Sequence, residues 1–135
     1  MILKGSKFKD DRGALKFNND FDVSSIKRIY TIENENLSFI RGWQGHKIEQ
    51  RWFACMNGKF KIGVIEIDNF DSPSNQLCPK YFELTADVLD ILHVPAGYIT
   101  SIKALEEESK LLVMADYKLD EIQDEYRFPL DYFSN

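Results

Sequence analysis

Residues 50–68 read QRWFACMNGKFKIGVIEID, and this stretch decides the fold class. A nearly continuous apolar run over 50–56 is followed by Asn57-Gly58, a dipeptide that favours tight turns between two strands. From Lys59 to Asp68 apolar and polar residues then alternate, which is the period of a strand with one buried face. The pattern predicts a β-hairpin over these residues.

Short strands continue outward from this stretch in both directions. Most of these segments show the alternation and the β-branched and aromatic residues typical of strands, and turn-forming residues separate them. A helical pattern occurs once and is short. Seven or more short strands predict an all-β sandwich or barrel. The predicted strands are Ser25–Ile32, Phe82–Leu84, Leu89–Val94 before the turn Pro95-Ala96-Gly97, and a second hairpin of Tyr98–Ala104 and Lys110–Tyr117 around Glu106–Glu108; the helical pattern covers Leu119–Tyr126.

Length and charge limit what the chain can be. Its 135 residues suit a single domain with one core. A formal net charge of −5 repels phosphate backbones, so we expect no nucleic-acid partner. The N-terminal residues are polar and no segment has the eighteen or more apolar residues of a membrane span, so we expect a cytoplasmic protein without a membrane partner.

Three motifs resemble one known family. Ile26-Lys27-Arg28-Ile29-Tyr30 and then Arg41-Gly42-Trp43-Gln44-Gly45-His46-Lys47 are similar to the sugar 3,4-ketoisomerase or WxcM-like cupin family, as is the apolar run that ends at Gly58. The segment Val94-Pro95-Ala96-Gly97-Tyr98 resembles the related dTDP-4-dehydrorhamnose 3,5-epimerases. The resemblance covers most of the chain, from about Gly13 to Tyr117.

The resemblance implies a cupin-type double-stranded β-helix, that is, a jelly-roll barrel. It places the barrel at about 13–117 of a single domain 1–135. Beyond the resemblance, we expect 118–135 to form a short helical or extended tail that packs on the outside of the barrel through Phe128, Tyr132 and Phe133. It also implies a homodimer that binds a dTDP-linked 4-keto sugar in the barrel mouth, with no metal and no organic cofactor. Of the four positions that hold metal in metal-binding cupins, only His46 carries a metal-ligating side chain.

Position 44 departs from the family pattern. There the resemblance implies a histidine that acts as base, whereas this chain has Gln44, whose amide takes no proton at neutral pH. The remaining imidazoles are His46 and His93, and an imidazole suits proton abstraction beside a carbonyl. Tyr30 and Tyr98 are candidates to exchange a proton with an enolate oxygen. Each of the four is also consistent with a structural role, because histidine and tyrosine on strands commonly pack and hydrogen-bond.

Cationic and amide side chains are candidates for binding the substrate. The resemblance implies that Arg41 meets the nucleotide diphosphate and that Arg51 lies near the substrate, and a guanidinium fork suits phosphate oxygens. Arg51 has a structural alternative, an ion pair with Glu49 or Glu66. Gln44 would orient the sugar. Arg28 and Lys47, which belong to the matched motifs, complete the set.

Two functions of different classes follow from these residues. The first is an isomerase or epimerase of a nucleotide-diphosphate-linked 4-keto-6-deoxy sugar, in a pathway that supplies deoxysugars for surface polysaccharides. The second is a cupin that binds a sugar or nucleotide sugar without turnover, which Gln44 favours. Both depend on one expectation, that positions 41–51 run along a barrel wall and direct His46, Arg41 and Arg51 into a common cavity.

Overall fold

Two antiparallel five-stranded sheets form most of the computed structural model, which describes residues 1–133. The first sheet has the strand order β1-β9-β6-β11-β4 and the second β12-β5-β10-β7-β8, while β2 and β3 form a separate two-stranded sheet. The only helical segment among these residues is the 3₁₀ turn Val23–Ser25. The strands are β1 (Ile2–Leu3), β2 (Ser6–Asp10), β3 (Gly13–Phe17), β4 (Arg28–Ile32), β5 (Ile40–His46), β6 (Arg51–Asn57), β7 (Lys59–Glu66), β8 (Lys80–Thr85), β9 (Ile91–Val94), β10 (Tyr98–Ala104), β11 (Lys110–Ala115) and β12 (Tyr126–Arg127).

The main hydrophobic core draws side chains from both five-stranded sheets. Phe53 and Val113 come from the first sheet, and Phe60, Ile62 and Leu84 come from the second. Phe60, Ile62 and Val113 have no exposed surface. Burying such side chains contributes about 1.5–3 kcal/mol each, so this core is the principal reason why the two sheets face one another. The all-β prediction is confirmed.

Both predicted hairpins are wrong in the same way. β6 pairs with β9 and β11, and β7 pairs with β8 and β10, so the two strands that flank Gly58 lie in different sheets. β10 and β11 are likewise separated between the sheets. An Asn-Gly dipeptide reverses the chain locally, but pairing depends on which strand edges are free. Both edges of these strands are occupied by other partners.

The two turns instead cross from one sheet to the other at the same end of the molecule. Gly58 has φ +73°, and a Cβ at this position would overlap the side chain of Ser109. The Ser109 hydroxyl accepts a hydrogen bond from the Lys59 amide at 3.0 Å, and Asn57 Nδ2 donates to the Glu108 carbonyl at 2.8 Å. These bonds hold the two crossings close together. Glycine at position 58 permits both the positive φ and the close approach of Ser109.

The tail differs from its prediction in one part. The expected helix over Leu119–Tyr126 is wrong, because this segment forms turns and then enters β12 beside β5. Phe128, Tyr132 and Phe133 lie in a second hydrophobic cluster that includes Trp43. Residues 134–135, which the predicted tail also covered, lie outside the described residues.

Candidate active site

A β-bulge in β5 brings the predicted site residues onto one face. Opposite β10, His46 pairs with Tyr98 and Gln44 with Thr100, and the register then shifts by one residue so that Arg41 pairs with Ile102. Side chains alternate along a regular strand, so Arg41 would otherwise point away from Gln44 and His46. A bulge inserts one residue and redirects the side chains beyond it. All three side chains therefore line the cavity between the sheets.

Strands of the other sheet and the turn after β9 complete the cavity. Tyr30 from β4 and Arg51 from β6 face it from the first sheet, and Tyr98 lies beside His46 on β10. Gly97, at φ +91°, closes the turn that precedes β10, as its sequence predicts, and its amide donates to the His46 carbonyl at 2.8 Å. The cavity thus brings together six of the nine predicted site residues: Tyr30, Arg41, Gln44, His46, Arg51 and Tyr98.

Arg51 is the centre of a buried polar network. Its Nε donates to Glu49 Oε2 at 2.8 Å, and its Nη2 contacts both the same oxygen and His46 Nε2, the latter at 2.9 Å. Nη1 donates to the Tyr30 hydroxyl oxygen. The Glu49 side chain is 6% exposed and the Arg51 side chain 11%, so both charges are largely removed from water and depend on each other. Arg51 therefore does pair with Glu49, and it does so inside the cavity.

His46 is held in its neutral form. Burial lowers the pKa of His46 to about 4, and the nearby positive charge of Arg51 acts in the same direction. Because the Arg51 guanidinium can only donate, His46 Nε2 accepts, and the neutral ring carries its proton on Nδ1. Glu49 Oε2 lies 3.3 Å from the same Nε2, which places a carboxylate next to the atom that would take a proton.

Two carboxylates from the segment after β11 hold the loop between β5 and β6. Asp124 accepts the amide hydrogens of Lys47, Ile48 and Glu49 at 3.0, 2.7 and 2.8 Å. Asp116 accepts the Gln50 amide at 2.8 Å. This loop joins His46 to Arg51 and carries Glu49, so the carboxylates position all three groups of the network.

Gln44 is tied to the tail. Its Nε2 donates to Glu125 Oε1 at 2.6 Å, and the other carboxylate oxygen of Glu125 lies 3.1 Å from Arg127 Nη2. The backbone of β12 pairs with β5 at Gly45 and Gln44. The amide at position 44 is therefore oriented by a hydrogen bond and contributes no titrating group to the cavity.

Three of the predicted site residues lie elsewhere. His93 stacks on Trp52 at 4.8 Å between ring centroids and bonds Gln50 Oε1 at 2.7 Å, on the face of its sheet opposite to the cavity. Lys47 is exposed and does not line the cavity. Arg28 lines a neighbouring groove that shares His46, Glu49 and Arg51 with the cavity, and its guanidinium lies 4.9 Å from the Tyr30 ring centroid. Neither His93 nor Lys47 is placed to act on a molecule in the cavity.

Asp124 is the polar residue of the site that the sequence does not reveal. Glu49 is a partner for Arg51 and a candidate base if it is buried, but nothing in the alternation of residues 47–50 indicates that it is only 6% exposed. Asp124 lies in the segment predicted as a helix, where a carboxylate would be exposed. Its contacts to residues 47–49 span 75 to 77 positions along the chain, and no local pattern encodes them.

Neither a metal-binding cluster nor a membrane-spanning helix occurs within residues 1–133. No group of three or more histidine, cysteine, aspartate or glutamate side chains in this part of the chain could hold a metal ion. No helix there is long and apolar enough to cross a membrane.

The fold and the cavity define a cupin-type jelly roll with a polar site between its sheets. Residues 1–134 match the family model described as FdtA: WxcM-like, C-terminal. The chain therefore belongs to the WxcM-like C-terminal family, and the predicted recognition and fold class are confirmed. No curated protein sequence matches the chain significantly.

Solved structures extend the comparison. The chain is similar to the 3,4-ketoisomerase QdtA from Thermoanaerobacterium thermosaccharolyticum, determined as a histidine-to-asparagine variant with TDP-4-keto-6-deoxyglucose: the TM-score is 0.72, the identity 27%, and 99% of this chain and 91% of that one are covered. The TDP-quinovose 3,4-ketoisomerase WlaRB from Campylobacter jejuni gives 0.68 at 21% identity, covering 100% and 97%. A dTDP-4-dehydrorhamnose 3,5-epimerase from Bacillus anthracis gives 0.70 at 21%, covering 88% and 74%. The last two likenesses support the fold.

Proposed function

We propose that this protein is an isomerase or epimerase of a nucleotide-diphosphate-linked, dTDP-type 4-keto-6-deoxy sugar, and that it abstracts a proton from a carbon next to the carbonyl. The observation that carries the proposal is the buried network of His46, Glu49, Arg51 and Tyr30 on the wall of one cavity. Enolisation needs a base, an oxygen-stabilising donor and a positive charge within reach of one substrate. The network provides all three, and the similarity to the ketoisomerase with a bound keto sugar supports the same class of substrate.

His46 is the base in this mechanism. At neutral pH it is unprotonated, so its Nε2 has a lone pair available once Arg51 Nη2 moves off it. The proton leaves the carbon beside the carbonyl for Nε2, and the electron pair of the C–H bond becomes the enolate. Glu49, 3.3 Å from Nε2, then faces a protonated imidazole, and opposite charges at this distance favour the charged form. The proton on Nε2 exchanges with water, and a proton is then delivered from Nε2 to the former carbonyl carbon. The hydrogen of the adjacent hydroxyl moves to the former carbonyl oxygen, which completes an isomerisation; return of a proton to the original carbon from the other face would give an epimer.

Tyr30 is the donor to the developing oxyanion. Its hydroxyl oxygen already accepts a hydrogen bond from Arg51 Nη1, so its own hydrogen must point to another acceptor. The positive charge of Arg51 next to this hydroxyl stabilises negative charge that forms beside it. Tyr98, adjacent to His46 across the β5–β10 pair, is a second candidate donor from the same wall.

Arg41 and Gln44 bind the rest of the substrate. Arg41 is five residues from His46 on β5. An extended strand rises roughly 3.3 Å per residue and the bulge shortens it slightly, so the two residues are about 15 Å apart along the strand. A cation at one end of the cavity and a base at the other suit a ligand with a diphosphate and a reacting sugar. Gln44 lies between them and its amide can orient a sugar oxygen. Arg28 extends the cationic surface into the neighbouring groove.

The second candidate is a cupin that binds a nucleotide sugar without turnover. Two observations favour it. The Gln44 side chain cannot act as a base and is hydrogen-bonded to Glu125, and the lone pair of His46 Nε2 already accepts a hydrogen bond from Arg51. In this case the network would act only as a rigid binding surface.

Incubation of the purified protein with dTDP-4-keto-6-deoxyglucose in D₂O separates the two functions. Deuterium incorporation, measured by proton NMR, is expected for the enzyme. A label at C4 of a 3-keto product indicates isomerisation, and a label at C3 or C5 of the 4-keto sugar indicates proton exchange or epimerisation at that carbon. Saturable binding without any deuterium incorporation would contradict the enzymatic proposal and support the binding module.

We further propose that the protein is a homodimer and that residues 1–135 form a single domain. We also propose that it works in the cytoplasm, in a pathway that supplies deoxysugars for surface polysaccharides. Support for the dimer comes from the β2–β3 hairpin, where Phe8 and Leu15 face each other across the strands and are 56% and 60% exposed. An exposed apolar pair on a separate hairpin is suited to packing on a second copy. Sedimentation equilibrium should show a dimer that dissociates when Phe8 and Leu15 are both changed to serine, and a wild-type monomer would overturn this part of the proposal.

A further inference from the structure

Asp124 accepts a set of backbone hydrogen bonds from a single loop. One carboxylate, 6% exposed, accepts three consecutive backbone amides, those of Lys47, Ile48 and Glu49. All three distances lie between 2.7 and 3.0 Å, within the range of hydrogen bonds to a charged acceptor. Buried amides without a partner are costly, so the loop depends on this side chain for its conformation.

The loop that Asp124 holds contains the reacting groups. His46 precedes the three amides and Glu49 is the last of them, and these two side chains meet at 3.3 Å in the cavity. The negative charge of Asp124 also acts on the His46 imidazole, where it opposes the effect of Arg51 and raises the pKa. Asp124 does not line the cavity between the sheets but the neighbouring groove, so its effect on the reacting groups in the cavity passes through residues 46–49.

We infer that Asp124 is a positioning residue of the active site, which holds His46 and Glu49 in the geometry for proton transfer by fixing the amides of residues 47–49. The inference rests on the proposed function for its effect on turnover. It makes the tail a functional part of the site, since Asp124 lies next to the Gln44 partner Glu125 and two residues before the start of β12.

The test compares Asp124→Asn with Asp131→Asn in the full-length protein. Asparagine keeps one carbonyl acceptor but loses the second oxygen and the charge, so the loop loosens without a large change in volume. Asp131 is exposed on the same tail and provides the matched control. Five quantities are measured on each: kcat and KM for deuterium incorporation into the keto sugar, the affinity for dTDP, amide hydrogen exchange at residues 47–49, and the melting temperature.

For Asp124→Asn we expect kcat to fall by about 10- to 100-fold, the scale of a displacement of about 1 Å in a reacting group, with KM and dTDP affinity within about twofold of wild type. Amide exchange at 47–49 should accelerate, and Asp131→Asn should leave every measured quantity unchanged. A folded Asp124→Asn protein with wild-type kcat and wild-type exchange would overturn the inference. So would a parallel loss of kcat, dTDP affinity and melting temperature, which indicates a general structural role.

The exchange measurement keeps the inference distinct from the proposed function. If the wild-type protein incorporates no deuterium, the proposed function fails, and the exchange rates at 47–49 then decide whether Asp124 holds this loop. Unchanged exchange in Asp124→Asn would refute the positioning role in that case as well.

Discussion

Lowering the pH from 7 to 4.5 should destabilise the protein through His46, and the size of the effect follows from its burial. The pKa of His46 is lowered from 6.5 to about 4 in the folded protein. Between these two values the unfolded chain binds a proton that the folded protein does not bind, so stability is full above pH 6.5 and falls as the pH drops towards 4. At about 1.36 kcal/mol per pH unit, the loss between pH 7 and 4.5 is about 2 kcal/mol.

The assay is urea denaturation of wild type and His46→Gln at pH 7 and pH 4.5. Glutamine can accept the Arg51 hydrogen bond but does not titrate, so the variant should lose about 2 kcal/mol less than wild type between the two pH values. Carboxylates that do not contact His46 contribute equally to both proteins and cancel in the comparison. His93→Gln serves as a comparison, because it leaves the contribution of His46 in place and removes only that of His93, whose pKa burial also lowers. Identical pH dependence of wild type and His46→Gln would refute the idea that burial keeps His46 neutral.

Three further changes test the packing and the network. Arg51→Met leaves the Glu49 carboxylate buried without its partner and should destabilise the protein by about 3–5 kcal/mol in urea denaturation. Adding Glu49→Gln should restore most of this stability, and additive losses in the double variant would contradict the pairing. Gly45→Ala places a Cβ against the carbonyl of Tyr98, so we expect about 1–3 kcal/mol of destabilisation in thermal melts, and an unchanged melting temperature would contradict the close β5–β10 approach. Phe60→Ala empties a fully buried core position and should cost about 3–5 kcal/mol by urea denaturation, with a loss below about 1 kcal/mol arguing against its place in the core.

Local sequence patterns predicted the strands and part of the cavity. The two-residue period that places Gln44 and His46 on one face is visible in the sequence, and the structure keeps it. Arg41 joins them for a different reason, because a bulge in β5 shifts the register before it. Alternation alone would have put this arginine on the opposite face.

Long-range pairing is the part that the local patterns could not provide. The Asn57-Gly58 turn has the composition of a hairpin, yet its flanking strands belong to different sheets, since the strand edges they would share are occupied by β9 and β11 on one side and by β8 and β10 on the other. The role of Asp124 could not be predicted for the same reason. Its carboxylate holds a loop some 75 residues away along the chain, and the residues next to Asp124 in the sequence give no indication of this contact.

Deuterium incorporation by two histidine variants tests most directly whether the chemistry resides in the cavity. His46→Gln and His93→Gln each remove one imidazole, but only His46 lies in the cavity beside Arg51 and Glu49. With dTDP-4-keto-6-deoxyglucose in D₂O, exchange should fall at least about 100-fold in His46→Gln, as expected for loss of a general base, and remain near the wild-type rate in His93→Gln. Exchange that survives in His46→Gln, or that is lost in His93→Gln instead, would contradict the account.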